Sequence, residues 1–140
     1  MSDQDISLII NLQRLTFRIE RNFDQILFEK FGIGFSQYKI LEALDKNPKY
    51  TQKQLSSLLG QTEASVSRQI KILRSDGLIS TTINPKNRRE HITIISPKGG
   101  RIHDAAYSSL EIFSKKILES IDSKEKSRLS SLISNISMEA

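Results

Sequence analysis

The side chains best suited to chemistry lie on one face of a short segment between residues 62 and 71. This face combines small, hydroxyl and charged groups, namely Thr62, Glu63, Ala64, Ser65, Ser67, Arg68 and Lys71. Serine and threonine can hydrogen-bond bases or phosphates, alanine can contact a thymine methyl group, and arginine can pair with guanine through two hydrogen bonds. The face suits a helix that approaches DNA base edges, although an ordinary solvated polar face is an alternative for this segment taken alone.

A second group of candidate residues lies in the segment 84–90, NPKNRRE. Lys86, Arg88 and Arg89 outweigh Glu90, which leaves the segment with a net charge of +2. A tip this basic is costly to bury against protein but suits a surface lined with phosphates. Arginine in particular is favoured in a narrow minor groove.

Two short helices are predicted to position the first group. Thr51 and Gln54 form a capping box at the start of one helix, and Gly60 ends it. Thr62 then caps a helix over residues 63–76. The predicted buried stripes are Leu55, Leu58 and Leu59 on the first helix and Val66, Ile70 and Leu73 on the second. Two helices joined by so short a glycine turn must cross steeply, as in a helix-turn-helix.

The basic tip is predicted to join two strands. Residues 79–83 and 91–95 are rich in β-branched side chains, which favour strands. A helix-turn-helix followed directly by a basic hairpin is a winged helix. We therefore predict a mainly α fold with a small β-hairpin wing.

Longer helical patterns flank this unit. The first covers residues 6–31, and a second begins with Ser36 as its N-cap and ends at Asn47-Pro48. After the wing, Ser96-Pro97 starts another helix, and Asp122 and Ser123 offer a cap for the last. The last stripe consists of Leu129, Leu132, Ile133 and Ile136. The broad apolar arc of the first helix predicts cover by a second subunit, with a monomer core as the alternative.

Taken together, these motifs resemble the MarR (multiple antibiotic resistance regulator) family of bacterial transcription regulators. The resemblance is carried by residues 37–44 (QYKILEAL), 51–60 (TQKQLSSLLG), 65–70 (SVSRQI), Leu73, 77–79 (GLI), Arg88-Arg89 and 96–99 (SPKG). It implies one domain over residues 1–140, with dimerisation helices in 1–34 and 97–140. It also implies a winged helix-turn-helix DNA-binding lobe in residues 35–96.

The resemblance also implies roles for individual residues. Arg89 matches the wing-tip arginine, whereas Asn87 stands where the family usually has an acidic residue that pairs with it. Ile72 stands where a polar residue is common in the family, and we expect it to widen the apolar seam. The predicted DNA-binding set is Thr51, Gln52, Thr62, Glu63, Ala64, Ser65, Ser67, Arg68, Lys71, Lys86, Asn87, Arg88 and Arg89. Family members often bind small ligands, for which Phe17, Arg21, Tyr38 and Tyr107 are candidates, with plain core packing as the favoured alternative.

Composition narrows the function classes. The 140 residues carry a net charge of +5 and a sequence pI near 9.6, so an anionic partner is favoured, with nucleic acid ahead of a membrane surface. No cysteine, signal peptide or membrane span is visible, which predicts a cytoplasmic protein without disulfides. His91 and His103 are the only histidines, and no catalytic motif accompanies them. We therefore expect no metal, no cofactor and no enzymatic activity.

Two function classes remain after this reasoning. The first is a homodimeric, sequence-specific regulator of transcription, most simply a repressor that binds a pseudo-palindromic site on double-stranded DNA and is released by a small molecule. The second is a winged helix that serves as a protein-interaction module without reading DNA. The basic wing favours the first, because interaction surfaces more often present aromatic or methionine anchors.

Overall fold

The computed structural model describes residues 2–136 as six helices and a two-stranded antiparallel sheet. The elements are α1 (Ser2–Phe31), α2 (Phe35–Lys46), α3 (Gln52–Leu59), α4 (Glu63–Ser75), β1 (Ile79–Asn84), β2 (Asn87–Ile95), α5 (Pro97–Ile117) and α6 (Ser123–Asn135). The predicted fold class, mainly helical with a hairpin wing, is confirmed. None of the described helices carries an apolar stretch long enough to cross a membrane.

The core lies where α2, α3 and α4 meet, closed by the end of α1 and the first half of α5. Its fully buried members include Leu27, Ile40, Leu41, Leu44, Leu55, Val66, Ile70 and Leu73. The helical spacing of Val66, Ile70 and Leu73 therefore identified the buried face of α4 correctly. Of the three leucines predicted to be buried on α3, Leu55 is fully buried and Leu59 is partly buried against the core, whereas Leu58 turns outward and is 55% exposed. Ile72 is also exposed, so it does not widen the apolar seam as expected.

Glycines set the directions of the helix-turn-helix. Gly60 ends α3 in the left-handed region, with φ of +63°, and Gly77 turns the chain after α4 with φ of +75°. A side chain at either position would be strained, whereas glycine adopts this backbone freely. The short connection from Gly60 to the Thr62 cap makes α3 and α4 pack against each other directly.

The start of α2 differs from the sequence prediction. The cap position is Gly34 rather than Ser36, and the Gln37 side chain accepts a hydrogen bond from the Gly34 amide at 3.0 Å. The next amide, of Phe35, donates to the Asp24 carboxylate of α1 at 2.9 Å. A helix start needs acceptors for its free amides, and Asp24 of α1 supplies one of them. Helix α2 therefore begins at Phe35, before the Ser36 cap that the sequence predicted.

The long flanking helices leave much of their apolar surface uncovered. Large apolar side chains that remain more than 40% exposed include Ile6, Leu8, Ile9, Ile10 and Leu15 on α1, and Leu129, Leu132, Ile133 and Ile136 at the C-terminal end. Within Ser123–Asn135, all of which is described, no residue is buried. The end of α1 thus packs into the core, whereas the apolar side chains of its first half are not covered within one chain.

Candidate nucleic-acid interface

The N-terminal end of α4 presents most of the predicted base-contacting residues to solvent. Thr62 Oγ1 accepts a hydrogen bond from the Ser65 amide at 3.1 Å and so fixes the first turn. The residues Thr62, Glu63, Ala64, Arg68 and Lys71 are exposed, and Ser65 and Ser67 are half-buried. Because the stripe through Val66 and Ile70 is fully packed, the opposite face cannot rotate inward, and α4 keeps these groups outward.

Thr51 has a different role from its neighbour Gln52. The Thr51 hydroxyl accepts from the Gln54 amide at 3.1 Å, and the Gln54 side chain accepts from the Thr51 amide at 2.9 Å. The predicted capping box is therefore present, and Thr51 is only 8% exposed. Thr51 positions α3, whereas the half-buried Gln52 stands at the edge of the cleft described below.

The wing has a longer second strand than the sequence indicated. Strand β2 begins at Asn87, so Arg88 and Arg89 lie within the strand rather than in a loop. The pairing passes from Ile83 opposite His91 to Asn84 opposite Asn87, which leaves residues 88–90 as an irregularity in the ladder. Such an irregularity bends the strand and redirects its side chains. Lys86, Asn87, Arg88 and Arg89 are all exposed.

Two asparagines shape the wing tip. Asn84 Oδ1 accepts from the Lys86 amide at 3.0 Å, and Asn87 Oδ1 accepts from the Arg89 amide at 3.2 Å. These are the local turns that asparagine side chains favour. The Asn87 side chain thus binds the backbone amide of Arg89. The acidic residue usual at this position in the family would instead pair with the arginine guanidinium.

A cleft of about 460 Å³ joins the three segments that were predicted separately. Its walls are Thr51, Gln52, Lys53, Gln54, Glu63, Asn87, Arg89, Glu90 and His91. The structure therefore brings Gln52, Glu63, Asn87 and Arg89 to one surface. Lys53, Gln54, Glu90 and His91 were not in the predicted DNA-binding set. Lys53 could have been found from its place beside Gln52 in the first turn of α3, whereas His91 gave no local signal.

Two contacts between distant segments hold the wing against the helix-turn-helix. Arg74, at the end of α4, donates from its guanidinium to the Thr81 hydroxyl of β1 at 2.9 Å. The Thr93 amide of β2 donates to the Tyr50 carbonyl at 3.2 Å, next to a bridge between Thr51 and Ile92. The wing and both helices of the pair therefore form one body on the side that carries the cleft.

A polar cluster around His103 lies on the other side of the core, between α5 and α2. His103 is 5% exposed, its Nε2 lies 2.6 Å from Glu42 Oε2, and its Nδ1 lies 3.0 Å from Asp104 Oδ1. Burial lowers the pKa of His103, but the hydrogen bonds to Glu42 and Asp104 outweigh burial and raise it above the ordinary value. Burial conversely raises the pKa of Glu42, and the hydrogen bonds from His103 and Lys46 bring it below the ordinary value.

The four candidate ligand-pocket residues do not form one cavity in the single chain. Phe17 and Arg21 line a shallow pocket of about 240 Å³ together with Phe35 and Lys39. Tyr38 is instead buried and stacks on His103, and its pKa is raised by burial and by the nearby Glu42 charge. Tyr107 is 52% exposed, and its ring centre lies 6.4 Å from that of His103.

Residues 36–80 match a family of winged helix-turn-helix DNA-binding domains. These residues include α3, α4 and the start of the wing. The fold and the family model together define the class of protein as a winged helix-turn-helix DNA-binding protein.

Comparison over longer stretches narrows the class. The HTH-type transcriptional regulator BilQ of Clostridium symbiosum is 25% identical over 108 residues, which cover 77% of this chain and 75% of the relative. A MarR family transcriptional regulator from Rhodococcus sp. RHA1 superposes with a TM-score of 0.85 at 16% identity, over 99% of this chain and 96% of that one. PcaV of Streptomyces coelicolor, solved with its natural ligand, gives a TM-score of 0.74 at 18% identity over 90% and 86% of the two chains. The chain therefore has the fold of MarR family transcription regulators and carries a winged helix-turn-helix DNA-binding region, which supports the resemblance.

Proposed function

We propose that the protein is a homodimeric repressor that binds a pseudo-palindromic operator. In this proposal α4 enters the major groove, and the wing enters the adjacent minor groove. The observation that carries the proposal is the cleft between α3, α4 and β2, because it unites Gln52, Glu63, Asn87 and Arg89 from three separate segments. A surface that combines a helix N-terminus with a basic hairpin matches the two grooves of a duplex.

The recognition role of α4 rests on the size and chemistry of its exposed face. Ala64 and the two half-buried serines, Ser65 and Ser67, keep the helix thin where base edges would be close. Arg68 and Lys71 follow along the same exposed side and can reach a guanine or the bordering phosphates. Thr62 and Glu63 complete the N-terminal turn, where Glu63 can accept a hydrogen bond from a cytosine amine.

The wing supplies a contact of a different kind. Lys86, Arg88 and Arg89 are exposed at its tip. In the minor groove A·T and T·A pairs present the same acceptors, so an arginine there responds to groove width and potential more than to sequence. We therefore assign sequence reading to α4 and general affinity to the wing.

The dimer is supported by the uncovered apolar faces of α1 and α6. Side chains such as Ile9 and Ile133, each at least 55% exposed, line long helices outside the core. Large exposed apolar patches of this kind mark surfaces that bind another molecule. A second copy is the simplest partner, because most oligomers are symmetric homodimers. Residues 1–34 and 97–140 are then the dimerisation helices, and residues 35–96 form the DNA-binding lobe.

The proposal also includes a small-molecule effector that releases the protein from DNA. The similar regulator PcaV was solved in complex with its natural ligand. Here the pocket beside Phe17 holds two cation–aromatic pairs, with Arg21 5.8 Å from the Phe17 ring centre and Lys39 4.9 Å from the Phe35 ring centre. This combination suits an aromatic carboxylate. Tyr38 and Tyr107 would act only if a ligand reached the His103 side.

The competing function is a protein-interaction module that does not bind DNA. It would use the same winged helix, but its binding would not depend on phosphates. Titration of a genomic operator fragment at several salt concentrations separates the two, because a DNA-bound regulator releases counterions. A steep linear fall of log affinity with log salt supports the proposal, and absent or salt-insensitive binding supports the module.

Symmetry gives an independent test on the same fragments. Two recognition helices related by a two-fold axis should contact half-sites about 10 bp apart, on one side of the duplex and in inverted orientation. Footprinting should therefore reveal a palindromic pair of protected regions. Protection of a single asymmetric half-site would contradict the dimeric mode of binding.

A further inference from the structure

The cluster around His103 has a buried centre and an exposed acidic edge. The imidazole lies flat against the Tyr38 ring, with ring centres 5.5 Å apart and planes inclined by 2°. The side chains of Asp45 and Asp104 stand at its outer edge and are 46% and 78% exposed. One face of the ring is therefore held by packing, and its Nδ1 edge lies beside two partly exposed carboxylates.

The inner nitrogen is committed to Glu42. Nε2 lies 2.6 Å from Glu42 Oε2, and the same carboxylate accepts from Tyr38 at 3.4 Å and pairs with Lys46 at 3.0 Å. The charge of Glu42 is thus compensated, and its acceptor role requires a proton on Nε2. The contact fixes the orientation of the ring and, whenever the ring is neutral, keeps its proton on Nε2.

The outer nitrogen faces an uncompensated pair of carboxylates. Nδ1 lies 3.0 Å from Asp104 Oδ1 and 3.9 Å from Asp45 Oδ2. Within residues 2–136, the ion pairs formed by Asp45 and Asp104 involve only His103. In the protonated ring Nδ1 donates to Asp104. When the ring is neutral and donates from Nε2, Nδ1 carries a lone pair, so a metal ion would take the place of the Nδ1 proton among the three ligand atoms.

We propose that His103 Nδ1, Asp45 and Asp104 bind a divalent first-row transition metal ion. Their ligand atoms lie within 4.8 Å of one another. Two metal–ligand bonds of about 2.1 Å span up to about 4.2 Å, and the exposed aspartates can rotate by the remaining amount. Waters complete the coordination shell on the solvent side.

The donor set indicates the class of ion. One imidazole and two carboxylates suit Zn²⁺, Mn²⁺ or Fe²⁺, whereas an all-oxygen set would suit Mg²⁺ or Ca²⁺. Glu42 plays the outer-shell role that carboxylates commonly have behind a metal-bound histidine. The ion would join α5, which carries His103 and Asp104, to α2, which carries Asp45.

The test is calorimetric titration of Zn²⁺, and separately of Mn²⁺, into the full chain after exhaustive removal of metal. We expect one ion per chain for at least one of the two metals. Asp104→Asn should weaken binding at least about tenfold, and the double variant Asp45→Asn/Asp104→Asn should abolish it. Both aspartates are exposed, so these variants keep the fold, and circular dichroism checks this directly.

Two control variants test whether metal binding depends on this site and not on any surface carboxylate or on the other histidine. Glu111→Gln, two turns further along α5, and His91→Gln in the wing should bind as the parent chain does. Bound metal should also raise the melting temperature of the parent chain and not that of the double variant. The proposal is overturned if neither metal binds, or if the double variant binds as tightly as the parent.

Discussion

His103 on α5 and Glu42 on α2 are joined by a hydrogen bond of 2.6 Å that crosses 61 residues of sequence. The contact ties a flanking helix to the scaffold of the DNA-binding lobe.

The raised pKa of His103 predicts that stability depends on pH. A group whose pKa is higher in the folded state stabilises the fold fully below its unfolded value, about 6.5, and the contribution is lost as pH rises through the folded pKa. The free energy of unfolding, measured with urea in EDTA, should therefore decrease from about pH 6.5 upward. His103→Gln should flatten this dependence, and His91→Gln should preserve it. An identical pH profile for His103→Gln would contradict the assignment.

Two adjacent glycines at the start of α5 should respond oppositely to alanine. A Cβ on Gly99 would lie 2.0 Å from the Leu78 carbonyl oxygen, whereas one on Gly100 would have no atom within 4 Å. Gly99→Ala should destabilise the fold by about 1–3 kcal/mol or more because backbone must move. Gly100→Ala should stabilise it by roughly 0.5–1 kcal/mol, the usual gain within a helix. Thermal unfolding of both variants checks this, and equal effects would contradict the close packing of α5 on Leu78.

The apolar stripe of α6 should decide the oligomeric state. Leu132 is 45% exposed in one chain, and we expect it to be covered in the dimer. Leu132→Glu should yield monomer or aggregate in light scattering coupled to size-exclusion chromatography. Ser131→Glu, on the opposite face of the same helix, should leave a dimer. If the Leu132 variant remains a soluble dimer, the interface lies elsewhere.

The features that the sequence predicted correctly depend on residues close together in the chain. The Thr51–Gln54 capping box and Gly60 are decided within one turn of chain, so their residue types were sufficient. The caps at Thr62 and Asp122 were identified in the same way. The stripe of α4 also followed from spacing alone.

Contacts between distant residues explain what the sequence could not predict. The start of α2 depends on Asp24, and the place of His103 depends on Glu42. Arg68 and Arg89 were predicted as DNA contacts from their residue type. The cleft between α3 and β2 could not be predicted in this way, because it depends on the hydrogen bond between the distant residues Thr93 and Tyr50. Periodicity also placed Leu58 inward, although its side of so short a helix has no neighbour to cover it.

The division of labour between α4 and the wing is the central claim. Arg68 should read sequence, so Arg68→Ala should cost roughly 1–3 kcal/mol on the best operator and relax preference at one position per half-site. Arg89 should contribute general affinity, so Arg89→Ala should weaken binding to many sequences alike. Lys116→Ala, an exposed cation on α5, serves as the control for loss of charge alone.

The most direct measurement is the salt dependence of operator binding for the parent chain and for Arg89→Ala. The variant should bind more weakly, and the slope of log affinity against log salt should become shallower by about one. Lys116→Ala should retain the parent slope. If Arg89→Ala leaves both affinity and slope unchanged while Arg68→Ala abolishes binding, the wing does not contact DNA and the account is contradicted.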